Sequence, residues 1–180
     1  MADAARPSPT NHRRARTRHR AAGSTLPPQA HVLEFDGAAK GNPGPGGYGV
    51  VLMAGEHYKE ISEGFRLTTN NRMELLAVIV GLEALKKPNQ NVTVFSDSKY
   101  VVDAVMKKWV FGWEKKNFKG KKNADLWKRF LQIYPKQQIQ FQWVKGHAGH
   151  PQNEKCDQLA VSAAESTTLS VDKEYEALVN

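Results

Sequence analysis

The sequence predicts an α/β fold: a five-stranded mixed sheet flanked by helices, with three antiparallel strands followed by parallel additions. Two patterns predict it. Three strand-like runs, residues 31–38, 48–53 and 57–67, follow one another with only turns between them. Strand-like and helix-like segments then alternate, and a parallel strand can join the sheet only through such a crossover.

The elements follow in order. Residues 31–38 form an apolar strand that ends near Asp36, and the glycine- and proline-rich run 41–47 reads as a turn. After the two further strands of the meander, Thr68 and Thr69 offer helix-capping hydroxyls. From Asn71 to Lys87, Met73, Leu76, Ala77, Val80 and Ala84 recur at helical spacing, and Pro88 with Asn89 stops the helix. Val92 to Ser96 is a β-branched and aromatic strand, and Ser98 caps a helix running to Met106. Residues 109–122 are irregular or a short helix. Asn123 or Asp125 starts a helix that Pro135 closes. Residues 138–144 alternate polar with apolar, as a half-exposed strand does, and Pro151 to Ala164 is the last helix. Residues 166–180 read as an acidic, polar tail. Trp127 and Trp143 read as core residues.

The 180 residues suit one domain, here placed at 31–165. No apolar run is long enough to span a bilayer. The single cysteine, Cys156, cannot form a disulfide within the chain. It reads as a small buried helix residue in a reducing, cytoplasmic setting. With no dimer seam in view, a monomer is expected.

The net charge of +8 is uneven. Residues 1–30 carry six arginines and one aspartate, hence +5, and are nearly free of large apolar residues. They read as a disordered basic tail that adds non-specific nucleic-acid affinity or nothing. The remaining 150 residues hold +3, but Lys107 to Lys122 contains seven lysines against Glu114 alone. That patch is interleaved with Trp109, Phe111, Trp113 and Phe118.

Four acids stand out against this positive background. Asp36 closes the first strand, Glu74 lies in the first turn of a helix, Asp97 ends the fourth strand and Asp157 lies near the start of the last helix. Strands from which crossovers depart could set Asp36 and Asp97 side by side. Carboxylates gathered there would repel unless a cation lay among them, and hard divalent ions such as magnesium take oxygen ligands of this kind. The pattern suggests a metal-dependent enzyme acting on a polyanion. The run Gly41 to Gly49 lacks the Gly-Lys-Ser/Thr ending of a triphosphate loop; a hairpin turn that lets backbone approach a substrate is the better reading.

Five blocks resemble bacterial-type (type 1) ribonuclease H: Asp36 to Gly49, Thr68 to Leu75, Ser96 to Ser98, Val144 to Pro151 and Asn153 to Ala160. The resemblance runs from Val32 to Ala164 and implies the ribonuclease H-like fold, in agreement with the element order. It implies an endonuclease that hydrolyses the RNA strand of RNA–DNA hybrids, leaving 5′-phosphate and 3′-hydroxyl ends, in primer and R-loop removal. It assigns Asp36, Glu74, Asp97 and Asp157 as ligands for two magnesium ions, with manganese a substitute. It gives His147 a part in proton transfer or product departure; His150 takes no such role. Asn42, Asn70 and Asn71 would face the minor groove, where the 2′-hydroxyl separates RNA from DNA. Thr69 and Asn123 would grip a DNA-strand phosphate. Trp109 and Trp113 would meet DNA sugars, with neighbouring lysines on phosphates. The chain departs from some relatives in two places. Leu67 stands where an arginine of the phosphate pocket would align, with Arg66 one residue earlier, and the basic patch is a few residues shorter.

Two other readings compete. A reverse transcriptase or transposase nuclease domain would need a polymerase segment, which these 180 residues do not hold. A hybrid-binding protein without catalysis would be expected to lack one of the acids, and none is lost.

Overall fold

The structure is a computed structural model that describes residues 30–146 and 151–180. The basic tail predicted at 1–30 and His147 therefore fall outside the described residues, save Ala30. Five strands, β1 (His31–Ala39), β2 (Gly44–Ala54), β3 (His57–Thr68), β4 (Asn91–Ser96) and β5 (Gln138–Trp143), form one sheet in the order β3-β2-β1-β4-β5. The first three are antiparallel neighbours, and β4 and β5 add in parallel, as the element order requires. Six helices accompany them: α1 (Asn70–Glu83), α2 (Lys99–Met106), α3 (Trp109–Lys115), α4 (Ala124–Ile133), α5 (Pro151–Ala164) and α6 (Lys173–Val179).

Alternation along β1 decides what meets what. Leu33 and Phe35 are buried in the core cluster with Met73, Leu75 and Ile79 of α1. Glu34 and Asp36 point to the other face, the one α5 covers. There the glycines of the second strand act as packing residues: a Cβ on Gly49 would stand 2.2 Å from the Cys156 carbonyl oxygen, and one on Gly47 2.6 Å from that of Ala160. The predicted turn at 41–47 is thus shorter than expected. Its second half belongs to β2, where Gly47, with Gly49 beyond it, admits the helix that carries Asp157.

Helix α1 is more deeply enclosed than one apolar stripe suggests, since the sheet covers one side and α4 and α2 cover others. Thr69 caps it, accepting from the Arg72 amide at 3.2 Å. It ends at Glu83, before the predicted Lys87, short of the backbone restriction that Pro88 imposes. Trp127 is fully buried, as predicted. Trp143 is not: it is 43 % exposed, because β5 is an edge strand whose residues are largely uncovered.

Residues 166–180 also depart from the sequence reading. Ser170 pairs with β3, its amide donating to the Gly64 carbonyl at 2.8 Å and its carbonyl accepting from the Arg66 amide at 3.0 Å. This covers the free edge of β3. Asp172 then accepts from Arg72 (Nε at 2.7 Å, Nη2 at 2.9 Å) and from the Thr68 hydroxyl at 2.8 Å. Arg72 is 1 % exposed and also grips Asp125 with both terminal nitrogens, at 2.9 and 2.8 Å. Burial opposes its charge, yet the two carboxylates hold the guanidinium above its ordinary pKa. One cation therefore joins α1, α4 and the C-terminal segment. Asp172→Ala is expected to cost about 3 kcal/mol in urea unfolding, because it strips half the compensation from a buried charge. A loss under 1 kcal/mol would show that Asp125 suffices.

Candidate functional site

The acid cluster assembles from the sheet outward. In the parallel β1–β4 pair Glu34 stands opposite Phe95, so two residues further on Asp36 and Asp97 emerge side by side. Glu74 arrives from α1 through a close approach at Gly37, where a Cβ would stand 2.3 Å from the Glu74 amide nitrogen. Asp157 arrives from α5, which the β2 glycines admit. The Gly37 amide donates to Asp36 Oδ1 at 2.8 Å, and the Ser98 hydroxyl donates to Glu74 while capping α2.

Holding charge here is costly at Asp36 and Glu74. Asp36 is pushed up to about 8, first by burial and then by Asp97, with Asp157 and Glu74 adding; the Gly37 amide pulls the other way. Glu74 is pushed up to about 7, chiefly by burial and with help from Asp97, against the pull of the Ser98 hydroxyl. All four carboxylates thus share one field. Among the described residues no three of them stand in a ready metal-coordinating shell. The donor set is nonetheless all oxygen and over-charged, and it raises the cost of its own ionisation. Those properties fit a hard divalent cation, whose charge would remove that cost.

A row of amides borders the acids. Asn42 Oδ1 accepts from the Asn70 amide at 3.1 Å, and Asn70 Oδ1 accepts from the Ala39 amide at 2.6 Å. With each carbonyl end so used, each NH2 is left to donate outward. Asn71 is exposed beside them. Asn42, Thr69, Asn71 and Asn123 line one cleft of about 800 Å³. Asn123 is held there by Arg72 Nη1 at 3.3 Å and by its own donation to the Tyr100 hydroxyl at 3.0 Å. Arg66 does not enter this cleft. It lies one residue off the alternation that Leu67 follows and forms a bidentate pair with Glu176, at 2.8 and 2.7 Å.

The aromatics of the basic patch divide. Trp109 is 47 % exposed, with the Lys107 ammonium 5.0 Å from its ring centre. Trp113 stands edge-on to the buried Trp127 at 5.7 Å while Lys121 covers it at 5.0 Å, so it anchors the patch as well as lining its groove. Phe118 is buried and Phe111 packs on Tyr134.

Sequence reasoning missed three residues of the site. Ser98 was visible only as a cap, though the same hydroxyl serves Glu74. Gly37 carries no chemistry in sequence. Trp143 donates from Nε1 to the Asp97 carbonyl at 3.3 Å and lies under Lys99 at 5.1 Å, which places it at the site rather than in the core. The predicted loop histidine, His147, lies outside the described residues; a Cβ on Gly146 would stand 2.9 Å from Asp97 Oδ2.

The family model for RNase H matches residues 28–165. The chain is 55 % identical over 146 residues to a ribonuclease H of Desulforamulus reducens, covering 78 % of this chain and 91 % of that one. It is 52 % identical over 147 residues to the ribonuclease HI of Shewanella oneidensis, covering 79 % and 92 %. Among solved structures, LC9-RNase H1, a type 1 RNase H with the type 2 active-site motif, superposes with a TM-score of 0.71 at 34 % identity, covering 87 % of this chain and 83 % of that one. LC11-RNase H1, solved in complex with an RNA/DNA hybrid, gives 0.57 at 25 % identity, covering 75 % and 96 %. A matched family model over most of the chain, relatives at half identity and a superposable solved structure together make this protein a member of the ribonuclease H family, of the type 1, ribonuclease HI kind.

Proposed function

We propose that this protein hydrolyses the RNA strand of RNA–DNA hybrids, with magnesium held by Asp36, Glu74, Asp97 and Asp157 and manganese as a substitute. The observation that carries the reading is the single field shared by those four carboxylates in a chain of net charge +8. Bound there, a divalent cation would lower the pKa of an attacking water and offset charge on the leaving oxygen. The chain's own residues do the rest. The NH2 groups of Asn42 and Asn70, with Asn71, present donors to the ribose 2′-hydroxyls. Thr69 and Asn123 hold a phosphate of the DNA strand, and Trp109 and Trp113 with their lysines extend the grip. His147 carries a proton near the acids. A cytoplasmic monomer acting in primer and R-loop removal belongs to the same proposal; the buried thiol of Cys156, pushed up by burial, suits a reducing compartment.

The test is incubation of end-labelled RNA–DNA hybrid, RNA duplex and DNA duplex with magnesium or with a chelator. The RNA strand of the hybrid alone is expected to be cut, only with magnesium, leaving 5′-phosphate and 3′-hydroxyl ends. Cutting of DNA duplex at a similar rate, or cutting in chelator, would overturn the reading.

A further inference from the structure

The cleft that holds Thr69 and Asn123 lacks the arginine expected of it, and the two neighbouring arginines are committed elsewhere. Leu67 occupies the expected position. Arg66 and Thr68 share one side of β3, where both meet the C-terminal segment, and Arg66 is committed to Glu176 through two hydrogen bonds of 2.8 and 2.7 Å. Arg72 is 1 % exposed and shared between Asp125 and Asp172. The cleft wall itself carries two ammonium groups, Lys121 and Lys122. Lys121 lies over the Trp113 ring at 5.0 Å and faces the neighbouring groove as well. Lys122 is exposed, adjoins Asn123 and forms no ion pair among the described residues. The two acids of the cleft do not claim it either: Asp125 is held by Arg72, and Glu174, on α6, forms no ion pair with it.

We infer that Lys122 supplies the positive charge of the DNA-strand phosphate pocket in this chain, whose position 67 is leucine. The inference rests on the hybrid-cleaving reading and names the residue that grips the DNA strand in it. A lysine is a point charge rather than a planar fork, so it holds a phosphate without fixing its orientation. Thr69 and Asn123, both tied to Arg72, supply the orientation.

The experiment measures hybrid binding by the full chain in chelator, where cleavage cannot proceed, across a range of salt. Hybrids carry either an ordinary DNA strand or one neutral methylphosphonate, stepped along that strand. Lys122→Ala is expected to weaken binding of the ordinary hybrid roughly tenfold and to reduce the salt slope by about 1. One methylphosphonate position should weaken the wild-type protein by a similar factor and leave Lys122→Ala unaffected, since the same contact cannot be lost twice. Unchanged affinity and slope in Lys122→Ala, or a methylphosphonate penalty that persists in full at every position, would overturn the inference while leaving the hybrid reading intact. A wild-type protein that bound no hybrid at all would fail at the earlier step and take both down.

Discussion

Asp36→Asn is expected to abolish RNA cleavage and to make the folded protein more stable. The two effects have one cause. Asp36 is 8 % exposed and is pushed up to about 8 by burial and by Asp97, Asp157 and Glu74. In the unfolded chain the same carboxyl ionises near its ordinary 3.8. Between those values the folded state binds a proton that the unfolded state has released. Stability is therefore full below pH 4, falls as pH rises toward 8 and stays low above it. Glu74 adds in the same direction, up to about pH 7. Asparagine keeps the shape and removes the charge, so the variant should escape much of this fall. Because the acids titrate as a coupled set, one neutralisation recovers part of the penalty, about 2 kcal/mol at neutral pH. Activity should drop at least ~10³-fold, equivalent to about 4 kcal/mol of lost transition-state stabilisation. Magnesium titration gives a second readout: the wild-type melting temperature should rise with added magnesium, and that of Asp36→Asn should rise less. A variant that melts lower than wild type across pH 5 to 8 would make Asp36 a structural residue. One that cleaves at the normal rate would remove it from the metal site.

Such opposed effects mark a site kept for chemistry at the expense of the fold, and they bear on why its residues were legible in sequence. The acids were readable because each falls in a block that resembles ribonuclease H; singly, a carboxylate at a helix start is as well explained by the helix dipole. The element order allowed Asp36 and Asp97 to lie side by side, and the β1–β4 pairing puts them there. What holds the acids was not readable. Ser98 satisfies two demands with one hydroxyl, and sequence reveals only the capping one. Trp143 looked like core because aromatic strand residues usually are; its exposure follows from β5 being the sheet's edge, a property of strand order. The C-terminal segment was misread most fully. Its composition is polar, and its anchoring depends on Asp172 meeting a buried arginine 100 residues earlier, a pairing with no local signal. The same strap also pairs Arg66 with Glu176, on which the inference about Lys122 draws.

Gly37→Ala is the second change with a large expected effect, and it tests how the site is assembled rather than what it contains. A Cβ at this position would stand 2.3 Å from the Glu74 amide nitrogen and 2.5 Å from the Met73 carbonyl carbon. Both neighbours are backbone of a helix enclosed on several sides, so neither a rotamer change nor a small local shift can make room. Strand β1 has no more freedom, being bonded to β2 and β4. Either α1 moves off the sheet or the strand bends, at an overpacking cost of about 3 kcal/mol. Both movements separate Glu74 from Asp36, and misplacement by about 1 Å costs on the order of 10²-fold in rate. The variant should therefore lose stability and activity together, the reverse of the stability change predicted for Asp36→Asn. Gly112→Ala is the control. It sits in helix α3 with nothing within 4 Å of a new Cβ, so the added methyl should raise stability by up to about 1 kcal/mol. If Gly37→Ala melted like Gly112→Ala and cleaved normally, the contact between β1 and α1 would not be what sets the spacing of the acids.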